Sequence, residues 1–460
     1  RILSKENSPY FVDNGWLKIP AGVTLTIEPG VVIKFYSSYA FAGLYAEGDI
    51  KAQGTEKDKI IFTSFFDDGY GGDLNGDATS TSPSVGNWRG IHILSSGAGS
   101  VFSNAVFRFG GGYFLGDPGY EKANLFVKDA DIDIANSFFA SSTTYGLSLY
   151  NSDSRIIAGV FENNAVGLYS VSGKPEISNS VFSGNKQGLV LNGGSAEVKN
   201  NRFESNADFA FDAVGSPIDI SGNSGSNNGY NGIILRGDIT QANAASILKP
   251  NSDFPYILDG HVNVVASSSL TIEPGVVVKI KDNGFFNVLG GEVIAQGQNP
   301  SDIIFTSIKD NSVGGYTLNS TSTVPQAGDW YTIKATAGAY LDFQGVTVRY
   351  GGKPRIIYSN TTVELENSAG YFDNVVFDGN NDYGLYLKNS TITIKNSEFK
   401  NHLTGYGRAI TYINSPIDLQ NVKFSNNLLG VMADVNSLVK TAEVIWENNI
   451  ATTSPPNLFE

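Results

Sequence analysis

The sequence predicts an all-β solenoid of short strands that completes one coil about every 21 residues. Three observations predict it. Phenylalanine recurs at a fixed interval, asparagine and glycine recur at fixed offsets from it, and no stretch carries the 3.6-residue apolar periodicity of an ordinary helix. Composition agrees, with 52 Gly among 460 residues and only 17% charged side chains, against about 7% Gly and about 25% charge in an average chain.

The coil can be read element by element. Phe139, Phe161, Phe182 and Phe203 stand 22, 21 and 21 residues apart, and Phe377, Phe399 and Phe424 continue the pattern. Three residues before these rings come Asn136, Asn179, Asn200, Asn374, Asn396 and Asn421; three after come Asn164, Asn185, Asn206, Asn380 and Asn427. A glycine follows (Gly146, Gly167, Gly188, Gly384, Gly430) and leads into apolar residues such as Leu147 or Leu189-Val190. Asn and Gly suit turns because both tolerate positive φ. Between the turns, runs such as Glu197-Val198-Lys199 alternate polar and apolar, as strands with one buried face do. Coils stacked at about 4.8 Å would pile the Phe rings in a core and let equivalent Asn side chains form ladders.

A longer period overlies this one. Leu25-Thr26-Ile27-Glu28-Pro29-Gly30-Val31-Val32 returns as Leu270-Thr271-Ile272-Glu273-Pro274-Gly275-Val276-Val277. Ile60-Ile61-Phe62-Thr63-Ser64 returns as Ile303-Ile304-Phe305-Thr306-Ser307. Gly86-Asn87-Trp88 returns as Gly328-Asp329-Trp330, and Arg108-Phe109-Gly110-Gly111 as Arg349-Tyr350-Gly351-Gly352. The offset drifts only from 245 to 241, which reads as two tandem homologous copies, residues 1–245 and 246–460. The join falls near 240–252, where strand alternation lapses.

These residues resemble the right-handed parallel β-helix proteins, the pectate-lyase-like superfamily with its Asn/Gly-rich repeat, over nearly the whole chain. More narrowly, Ile27-Glu28-Pro29-Gly30, Phe62-Thr63-Ser64 and Gly86-Asn87-Trp88 are similar to β-helix modules of large exported bacterial surface proteins. The resemblance implies a secreted or cell-surface location. It implies no single activity, since this fold hosts lyases, hydrolases, tailspikes, adhesins and plain spacers. The abrupt ends at Arg1 and Pro455-Pro456-Asn457-Leu458-Phe459-Glu460 read as a piece of a larger protein or surface assembly.

Charge and composition narrow the partners. The net charge of −14, from 31 basic and 45 acidic side chains, argues against a nucleic-acid backbone, which needs a basic footprint. No run approaches the ~18 apolar residues of a membrane span. With no Cys, disulfides and thiolate metal sites are excluded. The partner expected instead is a cell-surface glycan or polysaccharide, which could lie along a solenoid groove and against exposed aromatic rings.

The strongest metal signal is the loop from Asp67 to Asp77. Asp73, Asn75 and Asp77 place oxygens at alternate positions, glycines bend the backbone, and Asp67 and Asp68 add two carboxylates. Such a set suits Ca²⁺, although the distal Glu of an EF-hand is absent. In the matching segment Asp73, Asn75 and Asp77 become Tyr316, Leu318 and Ser320, while Asp67 survives as Asp310. Concerted loss of three ligands points to a structural Ca²⁺ in one copy; a solvated acidic loop is the plainer alternative.

A second constellation follows from the register. Asp133, Arg155, Glu176 and Glu197 each lie six residues before a core Phe, and Ile134, Ile156, Ile177 and Val198 beside them should point inward. The four then share one outward column. Glu176 and Glu197, one coil apart, could act as the paired carboxylates of glycoside hydrolysis with one pKa raised by repulsion. A solvent-facing ladder screened by Arg155 is the plainer reading, since Tyr371, Thr393 and Asp418 fill the column in copy two.

Other features carry less. His92, His261 and His402 fall on different coils without ligand spacing, and His402 replaces an Asn of the turn column. No nucleophile elbow or phosphate-cradling loop occurs, nor the Arg-x-Pro-x-x-Arg, Asn-Thr-Asp or Gly-His-Gly motifs expected of pectate lyases and polygalacturonases. Trp88 and Trp330 read as packing residues. Tyr113, Phe114 and Tyr120, in a Gly/Pro-bearing segment, could stack on sugar faces. The expectation is therefore a β-helix with a structural or adhesive, glycan-binding role; the alternative is a polysaccharide lyase or glycosidase working in a groove of the first copy.

Overall fold

Asparagine places the corners of each coil. Asn136, Asn179, Asn200, Asn374, Asn396 and Asn421 all adopt positive φ, between 46° and 57°, the left-handed region that Asn enters at lower cost than other non-glycine residues. The computed structural model describes residues 1–460 except 37–41, 79, 114–118, 216–218, 241–245, 319–323, 355–359, 435–436, 438 and 455–460. It is an all-β, right-handed parallel β-solenoid. Among the described residues the only helical segments are the 3₁₀ turns Lys5–Asn7, Ser95–Gly97 and Gly119–Glu121. Among these residues no helix is long and apolar enough to cross a membrane.

Two compact units divide the chain: Arg1–Asp212 with Gly222–Tyr230, and Ala213–Ser221 with Asn231–Glu460. In the first, a nine-stranded parallel sheet runs from Tyr10–Asp13 and Val32–Tyr36 through Ile60–Ser64, Ala105–Arg108, Phe138–Ala140, Val160–Glu162, Val181–Ser183 and Arg202–Glu204 to Ser224–Ser226. Its register puts Phe62, Phe107, Phe139, Phe161, Phe182 and Phe203 in one line. All six rings are fully buried. Their centroids are 4.7–5.0 Å apart, with successive planes within 9°, the strand spacing transmitted to the side chains. Burying each ring contributes about 1.5–3 kcal/mol.

The buried amides are matched as regularly. Asn164, Asn185 and Asn206 each donate Nδ2 to Oδ1 of the next Asn, at 3.1, 3.1 and 2.8 Å, ending on Asn228. Each Nδ2 also donates to a phenylalanine carbonyl, of Phe139, Phe161 and Phe182 respectively. Each backbone N–H donates to the same downstream Oδ1. A buried polar network satisfied this fully fixes register as well as adding stability.

The second unit repeats the scheme. Phe377, Phe399, Phe424 and Trp446 stack with centroids 4.6–5.5 Å apart, and Asn427 donates to Asn449 at 2.9 Å. Trp88 and Trp330, each in its own unit, are completely buried and donate their indole N–H to the carbonyls of Arg108 and Arg349, at 2.9 and 3.0 Å. Both rings pack the core, as their sequence positions predict.

Candidate functional site

The loop after strand Ile60–Ser64 leaves the coil, and its carboxylates go to two different places. Asp67 turns inward: it is 4% exposed, accepts from Thr63 Oγ1 at 2.5 Å and lies 3.7 Å from Arg108 Nε. Asp68, Asp73 and Asp77 converge instead, with one oxygen of each within 4.8 Å of the others. Five residues are candidate ligands by sequence; the structure gathers those three carboxylates with Asn75 and leaves Asp67 outside the group.

Hydrogen bonding inside the group is incomplete in an informative way. Asp73 accepts from the backbone N–H groups of Ala78 and Gly76, at 2.8 and 2.7 Å, which hold its carboxyl below the usual range. Asp77 Oδ2 accepts from Asn75 Nδ2 and Thr81 Oγ1, at 2.9 and 2.6 Å. Asp68 Oδ1, Asn75 Oδ1 and Asp77 Oδ1 are buried atoms with no hydrogen-bond partner. Three orphaned acceptors on one loop form a donor set of hard oxygens, the chemistry that Ca²⁺ takes; a soft metal would find no nitrogen or sulfur ligand among them. The residues present fit the ion.

One cation of the chain already stands nearby. Lys34 is fully buried and donates Nζ to the Gly72 carbonyl. Desolvation lowers its pKa, opposed by the charges of Asp68, Asp67 and Asp73. The matching segment of the second unit has the same clamp without the acidic cluster. Lys279 donates to Gly315 O at 2.5 Å, Thr306 donates to Asp310 at 2.6 Å, and Arg349 Nη2 pairs with Asp310 at 2.5 Å. Burial pushes the Asp310 carboxyl up, but hydrogen bonds from Ser312 and Thr306, with the Arg349 charge, leave it below its ordinary value. Tyr316 and Leu318 stand where Asp73 and Asn75 match in sequence; position 320 lies outside the described residues. Sequence reasoning missed this clamp. Its signal was a lysine inside each apolar run, Val31–Tyr36 and Val276–Ile280.

The carboxylate column is where the register puts it. Asp133, Arg155, Glu176 and Glu197 pair in line across parallel strands, all exposed, while Ile134, Ile156, Ile177 and Val198 beside them are buried. Arg155 Nε lies 3.8 Å from Glu176, with both side chains more than half exposed, and Lys199 Nζ lies 2.8 Å from Glu197. Glu176 and Glu197 therefore each have their own cation, and such surface pairs are worth about 0–1 kcal/mol. Chemically this is a hydrated surface ladder of mixed charge.

The aromatic loop is described only in part. Tyr113 is 48% exposed, with Lys122 Nζ 3.5 Å from its ring centroid, so one ring face is occupied. Phe114 lies outside the described residues, as does the side chain of Tyr120. His402 is fully buried in the Asn column, with Nδ1 2.8 Å from Asn427 Oδ1.

Comparison with known proteins bears on the architecture. Residues 123–244 match the family described as "Right handed beta helix region". No curated protein sequence matches the chain. Among solved structures, one titled "Structure of PL6 family alginate lyase AlyGC" aligns over 96% of this chain and 99% of that one, at 10% identity and a TM-score of 0.19.

Proposed function

We propose that this parallel β-helix is a non-catalytic module of a secreted or cell-surface bacterial protein, structural or adhesive in role, whose Asp67–Asp77 loop binds a structural Ca²⁺. One observation carries the calcium: the orphaned buried oxygens of Asp68, Asn75 and Asp77 beside Asp73. Leaving a buried acceptor unmatched costs about 1–3 kcal/mol, and a divalent cation offsets that for several acceptors together. Asp68, Asp73, Asn75 and Asp77 would hold the ion; Asp67 would anchor the loop to the coil through Thr63 and Arg108. The surface role rests on the resemblance of the sequence modules and on the scarcity of polar residues foreign to the repeat. Against the lyase or glycosidase alternative stands the exposed, ion-paired state of Glu176 and Glu197, because glycoside hydrolysis needs a carboxyl group that keeps its proton beside one that does not.

Calorimetry and thermal unfolding in calcium and in chelator test the proposal. At a free Ca²⁺ concentration about 100 times Kd, the loop-bearing unit should gain about 2.7 kcal/mol, and Asp73→Ala should abolish both the heat of binding and the gain. An unfolding curve indifferent to chelator, with no binding heat, would refute it. The non-catalytic reading is tested on acidic and neutral polysaccharides, with and without calcium. Depolymerisation that Glu176→Gln or Glu197→Gln abolishes would replace it with the enzyme.

A further inference from the structure

In the second unit one coil is longer than its neighbours. Phe399 and Phe424 are 25 residues apart, where the steps from Phe139 to Phe203 are 21 or 22. The surplus makes a bulge: Asn381 pairs with Thr404 and Tyr383 with Arg408, so three residues oppose five. Gly405 and Gly407 take the detour at φ 59° and 56°. A Cβ at Gly405 would stand 1.6 Å from Asp382 Oδ1, so glycine is required there. Asp382 is itself buried, accepts the Tyr406 backbone N–H at 2.6 Å and is held through its other oxygen by Asn360. Bulges of this kind re-aim side chains.

What this one aims outward is a small mixed surface. Leu403 and Tyr406 are 55% and 61% exposed. The Arg408 guanidinium lies against two neighbouring rings, 4.6 Å from the Tyr406 centroid and 5.2 Å from that of Tyr383, which are themselves 5.9 Å apart, and it donates to Tyr383 Oη at 3.1 Å. Among the described residues no carboxylate lies within ion-pair distance of it. The other cations of this face are spent: Lys334 is 2.9 Å from Glu364, and Lys388 is 2.8 Å from Glu366. Tyr386 lies 5.9 Å from Tyr383 and pairs in register with Thr411. Leu385, Leu387, Ile410 and Tyr412 are core, so Tyr386 and Thr411 face away from it. Thr411 is only 3% exposed, yet its hydroxyl has no partner.

We propose that the Tyr383–Tyr406–Arg408 surface binds a single anionic sugar, terminal or isolated in an otherwise neutral glycan. An exposed tyrosine face stacks on a sugar ring, and a pre-positioned guanidinium fork grips a carboxylate or sulfate. The occupant is limited to one negative group because one guanidinium is free, whereas the chain carries a net charge of −14 that opposes a polyanion. This rests on the adhesive reading above and names what the scaffold would hold.

The test uses the whole chain and neutral oligosaccharides bearing one terminal glucuronate, sialate or sulfate, each beside its unsubstituted core. Titration calorimetry should show at least one substituted glycan binding about tenfold more tightly than its core, the equivalent of about 1.4 kcal/mol. Arg408→Gln should remove that preference, and Tyr406→Ala should weaken core and substituted glycan alike; preference for sulfate or for carboxylate identifies the anionic group. Both side chains lie at the surface, so unchanged thermal unfolding checks the fold. Equal affinity for every substituted glycan and its core, no binding at all, or a preference that survives Arg408→Gln overturns the site and leaves the scaffold reading intact. Cleavage of a bound probe does the reverse, overturning the non-catalytic reading while the site stands.

Discussion

His402 is the one buried ionisable group in an otherwise neutral amide column, and replacing it with asparagine should remove an acid-sensitive point of the second unit. Its ring is fully buried, Nδ1 is 2.8 Å from Asn427 Oδ1, and Nε2 is buried without a partner. An amide oxygen only accepts, so Nδ1 carries the proton and donates. A second proton would sit on Nε2, where no acceptor waits. Burial accordingly pushes the imidazole pKa down to about 4, opposed by the hydrogen bond to Asn427 and the charge of Asp378. The unfolded chain titrates near the ordinary value of about 6.5. The folded state therefore favours the neutral ring, so its stability contribution is complete above about pH 6.5, falls as the pH drops towards 4 and levels off below that. The difference integrates to about 2 kcal/mol at pH 5 and about 3.4 kcal/mol below pH 4.

His402→Asn should restore the ladder seen at Asn185 and Asn206, with Nδ2 donating to Asn427 Oδ1. At pH 7.5 the regained hydrogen bond, about 1 kcal/mol, offsets a small cavity of similar cost, and the variant should match the wild type. At pH 5 it should be more stable by about 2 kcal/mol, a Tm gain of about 2 °C if the chain unfolds as one unit and more if the second unit unfolds alone. The assay is thermal unfolding at both pH values, with NMR titration of the imidazole signal that the substitution removes. A ring titrating near 6.5, or a Tm difference identical at pH 7.5 and pH 5, would refute the reasoning.

Two further outcomes are expected. Asn185→Ala leaves the Asn164 amide donors, the Phe161 carbonyl and Asn206 Oδ1 short of partners, and should cost about 2–4 kcal/mol in equilibrium denaturation; a loss under 0.5 kcal/mol would mean the ladder adds little. Burial lowers the Lys279 amine to about 8, with Asp310 opposing and Arg349 assisting. Its protonated form is thus disfavoured in the fold, and wild-type stability should rise between pH 8 and about 10.5 relative to Lys279→Met, by about 1.6 kcal/mol between pH 8 and pH 9.5. Parallel stability profiles for the two proteins would contradict that.

Much of this was written in the sequence because stacking turns a repeated offset into a contact. Asn164, Asn185 and Asn206 touch only because each lies three residues after a core Phe, and the exposed column from Asp133 to Glu197 followed from parity against Ile134, Ile156, Ile177 and Val198. Features that depend on lateral contact between unlike segments were not legible. Asp67 looks like a ligand beside Asp68, but its partner Arg108 arrives 41 residues later on a neighbouring strand, and that pairing turns it away from the cluster. Lys34 gave no hint that its ammonium would be carried through the coil to Gly72. The long coil between Phe399 and Phe424 was visible as an interval, whereas the packing of Arg408 against Tyr383 and Tyr406 was not. The common cause is insertion. Where the chain keeps its 21-residue step, each side chain is constrained by its equivalents above and below, and a polar group foreign to the repeat is costly. Where residues are added, at 65–87 and 403–407, the ladder no longer dictates identity and carboxylates, tyrosines or a free guanidinium can be held at little cost to the core. Binding chemistry in this solenoid should therefore be sought where the step length breaks, and both the acidic Asp67–Asp77 loop and the Tyr406 bulge lie at such breaks.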